Sequence, residues 1–339
     1  MTATEPATAS VIATRQGRIG HILLNRPKAL NALDLRMIRD MSAALAAWRD
    51  DPGVHAVVVE GAGGRAFCAG GDIRAIRAYA LEGDTAAIEA FFAEEYALNA
   101  AIDEYPKPYV ALIDGVCMGG GIGLSVHGHM RVTSEAGMFA MPETAIALFP
   151  DVGGTFMLPR LPGQLGMYLG LTGARLNGAD AVHAGIATHF VPKADMEALR
   201  AAIIADGVAA VGAFAQTPPA FTMAPQRAAI DRCFGQDSVA GVLAALTAEG
   251  GAWAAETLAT LRHVSPSSVM WSFAAIRRGA GLSLRDALAA ELRLTRAVTK
   301  HPDFAEGVRA MLVDKDRHPH WSPATLEAVD AAAIGAMLG

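Results

Sequence analysis

Three consecutive glycines, Gly119-Gly120-Gly121, lie between an apolar, strand-like segment and the start of a helix-like one. Glycine lets a ligand oxygen approach bare backbone N–H groups, and a helix N-terminus adds positive potential at the same point. Two carboxylates, Glu143 and Asp151, follow eight residues apart. Amide donors for a developing oxyanion, with acid/base or nucleophilic groups nearby, indicate a site for acyl chemistry.

A second glycine loop precedes the first along the chain. It carries Gly70-Gly71 and then Asp72, which can cap a helix that starts at Ile73. A turn alone would explain this glycine pair. An oxyanion hole generally takes two donors, however, and two loops that each present an N–H group meet that requirement.

The first half of the chain alternates between short strands and helices, which indicates an α/β fold rather than a sandwich. Strands are predicted at 11–14, 19–24, 54–60, 109–113, 130–133 and 138–140, and helices at 34–48, 73–81 and 85–103. From about residue 195 onward, Ala-rich stretches with helical spacing replace the alternation. These predict helices at 196–208, 224–234, 238–249, 256–263, 267–279 and 283–300. We therefore expect a core over 1–194 and a helical C-terminal region over 195–339.

Composition limits the partners and the compartment. The formal net charge is −6 without a dense basic run, which argues against nucleic acid as a partner. Three cysteines without C-x-x-C spacing favour a reducing compartment and argue against disulfides or structural zinc. Residues 1–10 lack the basic and apolar parts of a secretory leader, and no apolar stretch is long enough to span a membrane. We expect a soluble, cytoplasmic protein that binds neither a membrane nor a metal.

Other residues that could do chemistry have simpler interpretations. Ser125 lies in a near-match to a nucleophile elbow, but His127 replaces the glycine that this turn needs. We expect Ser125 to pack in a helix and His127 to be a hydrogen-bonded interior histidine, pointing away from His129. Cys68 and Cys117 each lie near a glycine loop, so a thiolate nucleophile is conceivable, although small buried thiols are commoner.

Together these motifs resemble the crotonase (enoyl-CoA hydratase/isomerase) superfamily over roughly residues 10–192. The matching segments are 25–33, 66–73, 106–111, 118–123, 139–143, 150–154, 171–173 and 184–187. The resemblance implies a spiral core of ββα units that binds an acyl-CoA thioester, with no cofactor beyond the CoA that arrives with the substrate. It also implies a homo-oligomer, because trimers and hexamers are common in the superfamily, although the longer C-terminus could alter or block them.

The resemblance assigns roles to the residues of both glycine loops. In the superfamily the thioester oxygen lies between two backbone N–H groups, which correspond here to those of Gly71 and Gly120. By the same resemblance, Lys28 and Arg74 lie near the CoA phosphates and Ala69 lies near the adenine.

Departures from the hydratase pattern indicate the subfamily. Hydratases pair two glutamates, and here the first position is Gly123 while the second is Glu143. Asp151 stands where hydratases usually have glycine. These positions, the runs 123–128, 139–154 and 184–191, and the long helical C-terminus resemble the 3-hydroxyisobutyryl-CoA hydrolases. Their pattern also places Glu95 at the acyl site, whereas Glu95 alone would be interpreted as part of a solvated helix face.

The resemblance implies hydrolysis of a short-chain 3-hydroxyacyl-CoA. Within this class, the expected substrate is 3-hydroxyisobutyryl-CoA from valine breakdown. Glu143 would attack the thioester to form a mixed anhydride, or activate water as a general base, and Asp151 would hold the substrate hydroxyl or the water. One alternative is an enoyl-CoA hydratase or isomerase with Glu143 as its lone base. Another is a catalytically silent acyl-CoA-binding protein, for which neither Glu143 nor Asp151 would be needed.

Overall fold

A computed structural model describes residues 9–338 of the chain. The strands are β1 Val11–Gln16, β2 Ile19–Leu24, β3 Ala56–Gly61, β4 Ala66–Cys68, β5 Tyr109–Ile113, β6 Val116–Met118, β7 Met130–Thr133, β8 Met138–Ala140, β9 Leu176–Asn177 and β10 His189–Phe190. The helices of the core are α1 Leu35–Arg49, α2 Ile73–Glu82, α3 Thr85–Asp103, α4 Gly120–Val126, α5 Gly154–Met157, α6 Leu165–Thr172 and α7 Gly178–Ala184. The prediction about a leader falls largely on residues 1–8, outside the described residues.

The larger sheet has the strand order β1-β2-β3-β5-β7-β10, in which β1 and β2 are antiparallel and the other neighbours are parallel. Side chains of a strand alternate between the two faces of a sheet. Val57 and Val59 accordingly pack into the main hydrophobic core, whereas Val58 packs with Leu199 and Ile203 on the opposite face. Both faces of this sheet are therefore covered, as expected for an α/β fold.

The smaller sheet positions the glycine loops. Its order is β4-β6-β8-β9, and the neighbours β4, β6 and β8 run parallel. The carboxyl ends of parallel strands meet at one edge of a sheet, where α/β proteins bind ligands. Three loops leave this edge, at Ala69, at Gly119 and at Met141, so both glycine loops and the segment that leads to Glu143 converge there.

The C-terminal region is helical, as predicted. Its helices are α8 Met196–Asp206, α9 Val211–Phe214, α10 Arg227–Phe234, α11 Val239–Glu249, α12 Gly251–His263, α13 Pro266–Gly279, α14 Leu284–Val298, α15 Pro302–Val308 and α16 Ala331–Leu338, with one π-helical turn at Arg309–Val313. Among the described residues after Asp195, the one β-type pairing is an isolated bridge at Gln216. None of the helices between residues 9 and 338 is both long and apolar enough to cross a membrane.

Helices of the C-terminal region pack directly on the core. Trp271 Nε1 donates a hydrogen bond of 2.9 Å to the carbonyl oxygen of Leu148, and Ser268 Oγ donates to the same oxygen. Trp271 and Phe304 belong to the same hydrophobic cluster as Phe67 and Phe139 of the small sheet. The α/β fold with a helical C-terminal region is confirmed, whereas the division into 1–194 and 195–339 stays a prediction.

Candidate active site

The two glycine loops bring a pair of backbone donors together. Leu33 N donates to Gly70 O at 2.8 Å and Asp72 N donates to Leu33 O at 2.7 Å, so the Gly71 N–H between them is directed away from this ladder. Gly120 is the first residue of α4, and the N–H of this position has no intrahelical acceptor. A Cβ atom placed on Gly120 would lie only 3.3 Å from Gly71 N. The two N–H groups thus flank one small space.

The backbone of Gly119 makes this arrangement possible. Its φ of 47° with ψ of −118° is a conformation that glycine adopts at little cost and other residues rarely adopt. A Cβ atom here would also lie 2.8 Å from Glu143 Oε1. A glycine at 119 therefore turns the chain into α4 and at the same time leaves room for the Glu143 carboxylate.

Three buried carboxylates gather at the same place. Glu95 on α3, Glu143 and Asp151 are 2%, 5% and 4% exposed. Glu95 Oε1 lies 2.5 Å from where a Cβ atom of Gly120 would be, and Tyr96 Oη donates a hydrogen bond of 2.7 Å to Asp151 Oδ2. Glu95 Oε1 and Glu143 Oε2 have no hydrogen-bond partner among the described residues. Buried polar atoms are normally satisfied, so these oxygens indicate a site for substrate or water.

One cavity of about 410 Å³ joins these groups. Its wall includes the predicted residues Ala69, Gly71, Gly120, Glu95, Glu143 and Asp151, together with Leu30, Ile73, Phe92, Met118, Leu148, Val152, Met311 and Leu312. Lys28 and Arg74 are exposed and do not line it, so their contact with CoA phosphates stays a prediction. Met311 and Leu312 belong to the π-helical turn, a feature often found at functional sites.

Burial raises the pKa values of all three carboxyls, and neighbouring carboxylate charges add to the effect on Glu95 and Glu143. Burial raises the pKa of Glu95 well above its ordinary value, and the Asp151 charge raises it further. The pKa of Glu143 is also raised well above its ordinary value, first by burial and then by Asp151 and Glu95. Burial raises the pKa of Asp151 to about 6, against the lowering effect of the Tyr96 hydrogen bond. A base or nucleophile of raised pKa is the kind that acts near neutral pH.

The position of the first hydratase glutamate has no room for a carboxylate. A Cβ atom on Gly123 would lie 2.6 Å from Val152 Cβ and 2.9 Å from Asn99 Nδ2. Distances under about 3 Å require one of the neighbours to shift. A second glutamate, as hydratases have, would therefore collide with the segment that follows Asp151.

Sequence reasoning missed two residues of the site. One is Tyr96, which is 3% exposed and holds Asp151. The other is Glu291 on α14, 1% exposed, whose Oε2 accepts from Gly153 N at 2.8 Å and whose Oε1 accepts from Thr155 N at 3.0 Å and Thr155 Oγ1 at 2.5 Å. Burial raises the pKa of Glu291 to about 8. Glu291 thus fastens the turn that follows Asp151.

A signal for Glu291 was present in the sequence. Within the predicted helix 283–300, Leu284, Leu288, Glu291 and Leu294 recur at helical spacing, and all four are buried. A carboxylate on the apolar face of a helix needs donors in the core. The spacing alone does not name them.

The competing chemical residues behave as the simpler interpretations predicted. Ser125 Oγ donates to Gly121 O within α4, and His127 Nε2 makes a hydrogen bond of 2.8 Å to Val152 O. Cys68 and Cys117 are buried and free. Burial raises the pKa of Cys68 to about 12 and that of Cys117 further, so neither is a thiolate at neutral pH.

Known proteins similar to this chain include curated hydrolases. The 3-hydroxyisobutyryl-CoA hydrolase, mitochondrial, of Xenopus tropicalis is 48% identical over 330 residues, which cover 94% of this chain and 86% of that protein. The protein of the same name from Homo sapiens is 44% identical over 335 residues, covering 95% and 86%. These matches confirm the resemblance to 3-hydroxyisobutyryl-CoA hydrolases that the motifs indicated.

Solved structures share the whole fold. A carnitinyl-CoA dehydratase from Mycobacterium thermoresistibile superposes with a TM-score of 0.94 at 44% identity, covering 98% of this chain and 97% of that chain. An enoyl-CoA hydratase from Rhodobacter sphaeroides gives a TM-score of 0.93 at 40% identity with the same coverage.

The predicted cytoplasmic location is wrong, because the curated relatives are named as mitochondrial proteins. The prediction combined the cysteines with the lack of a secretory leader and of a spanning stretch. The cysteines indicate a reducing environment without distinguishing one reducing compartment from another.

The family model described as enoyl-CoA hydratase/isomerase matches residues 19–338, which is most of the chain. That span includes both glycine loops, the three buried carboxylates and the helix that carries Glu291. The superposed structures cover the same core and the same C-terminal helices. The chain belongs to the enoyl-CoA hydratase/isomerase family.

Proposed function

We propose that this protein hydrolyses a short-chain 3-hydroxyacyl-CoA thioester, with 3-hydroxyisobutyryl-CoA as its substrate in valine breakdown. The observation that carries the proposal is one cavity in which Glu143 and Asp151 face two backbone donors while Gly123 leaves no second hydratase glutamate. The names of the curated relatives support the same activity.

The glycine loops form the oxyanion hole of the proposed reaction. The thioester oxygen occupies the space between Gly71 N and Gly120 N and accepts a hydrogen bond from each. Both donors are backbone groups fixed by the loops, so they need no reorganisation when charge develops on the oxygen. One such donor typically contributes roughly 10²–10³ in rate.

Glu143 supplies the base or the nucleophile. In one route its carboxylate attacks the thioester carbon, CoA leaves as a thiolate, and water then hydrolyses the mixed anhydride. In the other it takes a proton from a water molecule that attacks the same carbon. Both routes need the ionised form, and the partner-free Oε2 in the cavity is available for either.

Asp151 and Glu95 bind the acyl group. Tyr96 occupies Asp151 Oδ2, which leaves Oδ1 to accept a hydrogen bond from the substrate 3-hydroxyl or from the hydrolytic water. Glu95 Oε1 lies against Gly120 and has no partner within residues 9–338, so it contacts the substrate near the thioester. Lys28, Arg74 and Ala69 serve CoA, and the reaction draws on no further cofactor. A homo-oligomer is part of the proposal on family grounds alone.

Free-thiol release from a panel of acyl-CoA esters tests the proposal. We expect thiol release from 3-hydroxyisobutyryl-CoA. Hydration of crotonyl-CoA, measured as loss of the enoyl absorbance, should be negligible. Efficient hydration of crotonyl-CoA without thiol release would assign a hydratase instead, the activity for which the solved Rhodobacter sphaeroides relative is named. Tight binding of every ester with neither reaction would assign the silent binding protein.

A further inference from the structure

Phe92 separates the active-site cavity from a second cavity. The ring is 1% exposed and lines both spaces, the first of about 410 Å³ and the second of about 640 Å³. Among residues 9–338 it is the only residue that lines both. The second cavity lies between the α2–α3 connection on one side and the end of α14 with the start of α15 on the other.

The ring stands close to the reacting end of the substrate. Phe92 and Glu95 are three residues apart on α3, so they share a face of the helix within about one turn of 5.4 Å. Glu95 Oε1 lies against Gly120, where the thioester oxygen binds in the proposed function. An acyl group that extends along α3 therefore meets the Phe92 ring after a few carbons.

Neighbouring aromatic rings hold Phe92 in place. It packs edge-on against Phe91, with ring centroids 5.4 Å apart and planes at 88°, and obliquely against Tyr96 at 5.9 Å. Phe91 in turn packs against Gly71, since a Cβ atom there would lie 2.9 Å from the Phe91 ring. The Phe92 ring is thus supported on one side, through Phe91, by the loop that carries Gly71. On the other side it is supported by Tyr96, which holds Asp151.

Most of the wall of the second cavity suits an uncharged chain, although Lys300 and His301 also line it. Leu81, Ile88, Pro302 and Ala305 supply apolar surface. Its Arg296 is paired with Glu89 through two hydrogen bonds of 2.8 and 2.5 Å, so these charges balance each other.

We propose that Phe92 sets the limit on acyl-chain length and that the second cavity is a latent site for a saturated acyl chain, closed to the substrate by this one ring. The proposal rests on the proposed function for the direction of the acyl group. Truncating the ring joins the two cavities and lets a medium-length chain pass from the thioester site into the second cavity.

The test compares kcat/KM for butyryl-CoA and octanoyl-CoA in wild type and Phe92→Ala. Two newly buried methylenes correspond to roughly tenfold, so the octanoyl/butyryl ratio should rise by roughly 100-fold for the four additional methylenes. Leu98→Ala is the matched control, because Leu98 is a buried apolar residue of α3 that lines neither cavity. Its ratio should equal that of wild type.

Phe92→Leu provides a milder truncation that should shift the ratio in the same direction by less. An unchanged ratio in Phe92→Ala or Phe92→Leu with a cooperative thermal transition overturns the proposal. The Kd values of the same two esters, measured by calorimetry, give the ratio independently of turnover. If wild type releases thiol from no ester, the hydrolase proposal fails, and an unchanged Kd ratio would then be needed to reject the role of Phe92.

Discussion

The Tyr96→Phe variant tests whether one hydrogen bond sets the ionisation of the carboxylate cluster. Phenylalanine keeps the ring that packs against Phe92 but removes the O–H that donates to Asp151 Oδ2 at 2.7 Å. A hydrogen bond to a charged group contributes about 1.5–3 kcal/mol, and one pKa unit corresponds to about 1.36 kcal/mol. The pKa of Asp151, now about 6, should therefore rise by about one to two units.

The assay is the pH dependence of kcat/KM for CoA release from 3-hydroxyisobutyryl-CoA. The proposed mechanism needs ionised Asp151 and Glu143, so activity should fall as pH decreases through their raised pKa values. Without the Tyr96 donor the protonated form of Asp151 is favoured, so the acid limb of the kcat/KM profile should move to higher pH by up to about two units. Activity should recover at alkaline pH.

Tyr105→Phe is the matched control for this shift. It removes another buried tyrosine hydroxyl, which donates to Leu45 O at 2.8 Å and does not line the cavity. Its acid limb should coincide with that of wild type. Coincident limbs for a folded Tyr96→Phe variant and wild type would refute the assignment of Asp151 ionisation to this bond.

Four further changes probe the same site. Glu143→Gln should abolish turnover while the Kd for the CoA ester stays within a few fold, because the amide is nearly isosteric; near-normal hydrolysis would remove Glu143 from the mechanism. Gly120→Ala places a Cβ atom 2.5 Å from Glu95 Oε1 and should lower kcat roughly 10²–10³-fold in steady-state assays, the typical loss for an oxyanion donor. Asp151→Gly should weaken hydrolysis most for 3-hydroxyacyl esters if Asp151 binds that hydroxyl, whereas a uniform loss across hydroxylated and plain esters would assign it to the water. Burial raises the pKa of Glu291 to about 8 from an ordinary 4.5, so between these pH values the folded state holds a proton that the unfolded state has lost. The free energy of unfolding should therefore decline as pH rises from 4.5 to 8. Urea titrations at several pH values should show that this decline is smaller in Glu291→Gln.

Local sequence predicts the parts of the site that local chain geometry forms. Gly71 and Gly120 lie two or three residues after short strands, so the turn into the following helix largely decides where their N–H groups point. The helical region was equally readable, and the predicted helix 283–300 is observed as Leu284–Val298. The strands β4, β6, β9 and β10 escaped prediction. Alternation is hard to detect over two or three residues, and of the strands this short only β8 was predicted.

Tertiary contacts decide the rest. Glu95 would have been interpreted as solvated from its helix alone, and only the family resemblance placed it at the site; its burial comes from packing of α3 on α4. Tyr96 and Asp151 are separated by 55 residues, and Glu291 and Gly153 by 138. No short motif connects such pairs, so the charged residue on a buried face indicates that a partner exists without naming it.

The Glu291 contact also makes the active site depend on α14, a helix far along the chain. During synthesis both glycine loops, Glu143 and Asp151 leave the ribosome before α14 does, since Glu291 lies 140 residues beyond Asp151. Until then Gly153 N and the two donors of Thr155 lack the carboxylate that binds them. A product truncated before residue 291 therefore has the reactive groups but lacks the carboxylate that binds the turn after Asp151. The formation of the turn after Asp151 is thus coupled to the synthesis of α14.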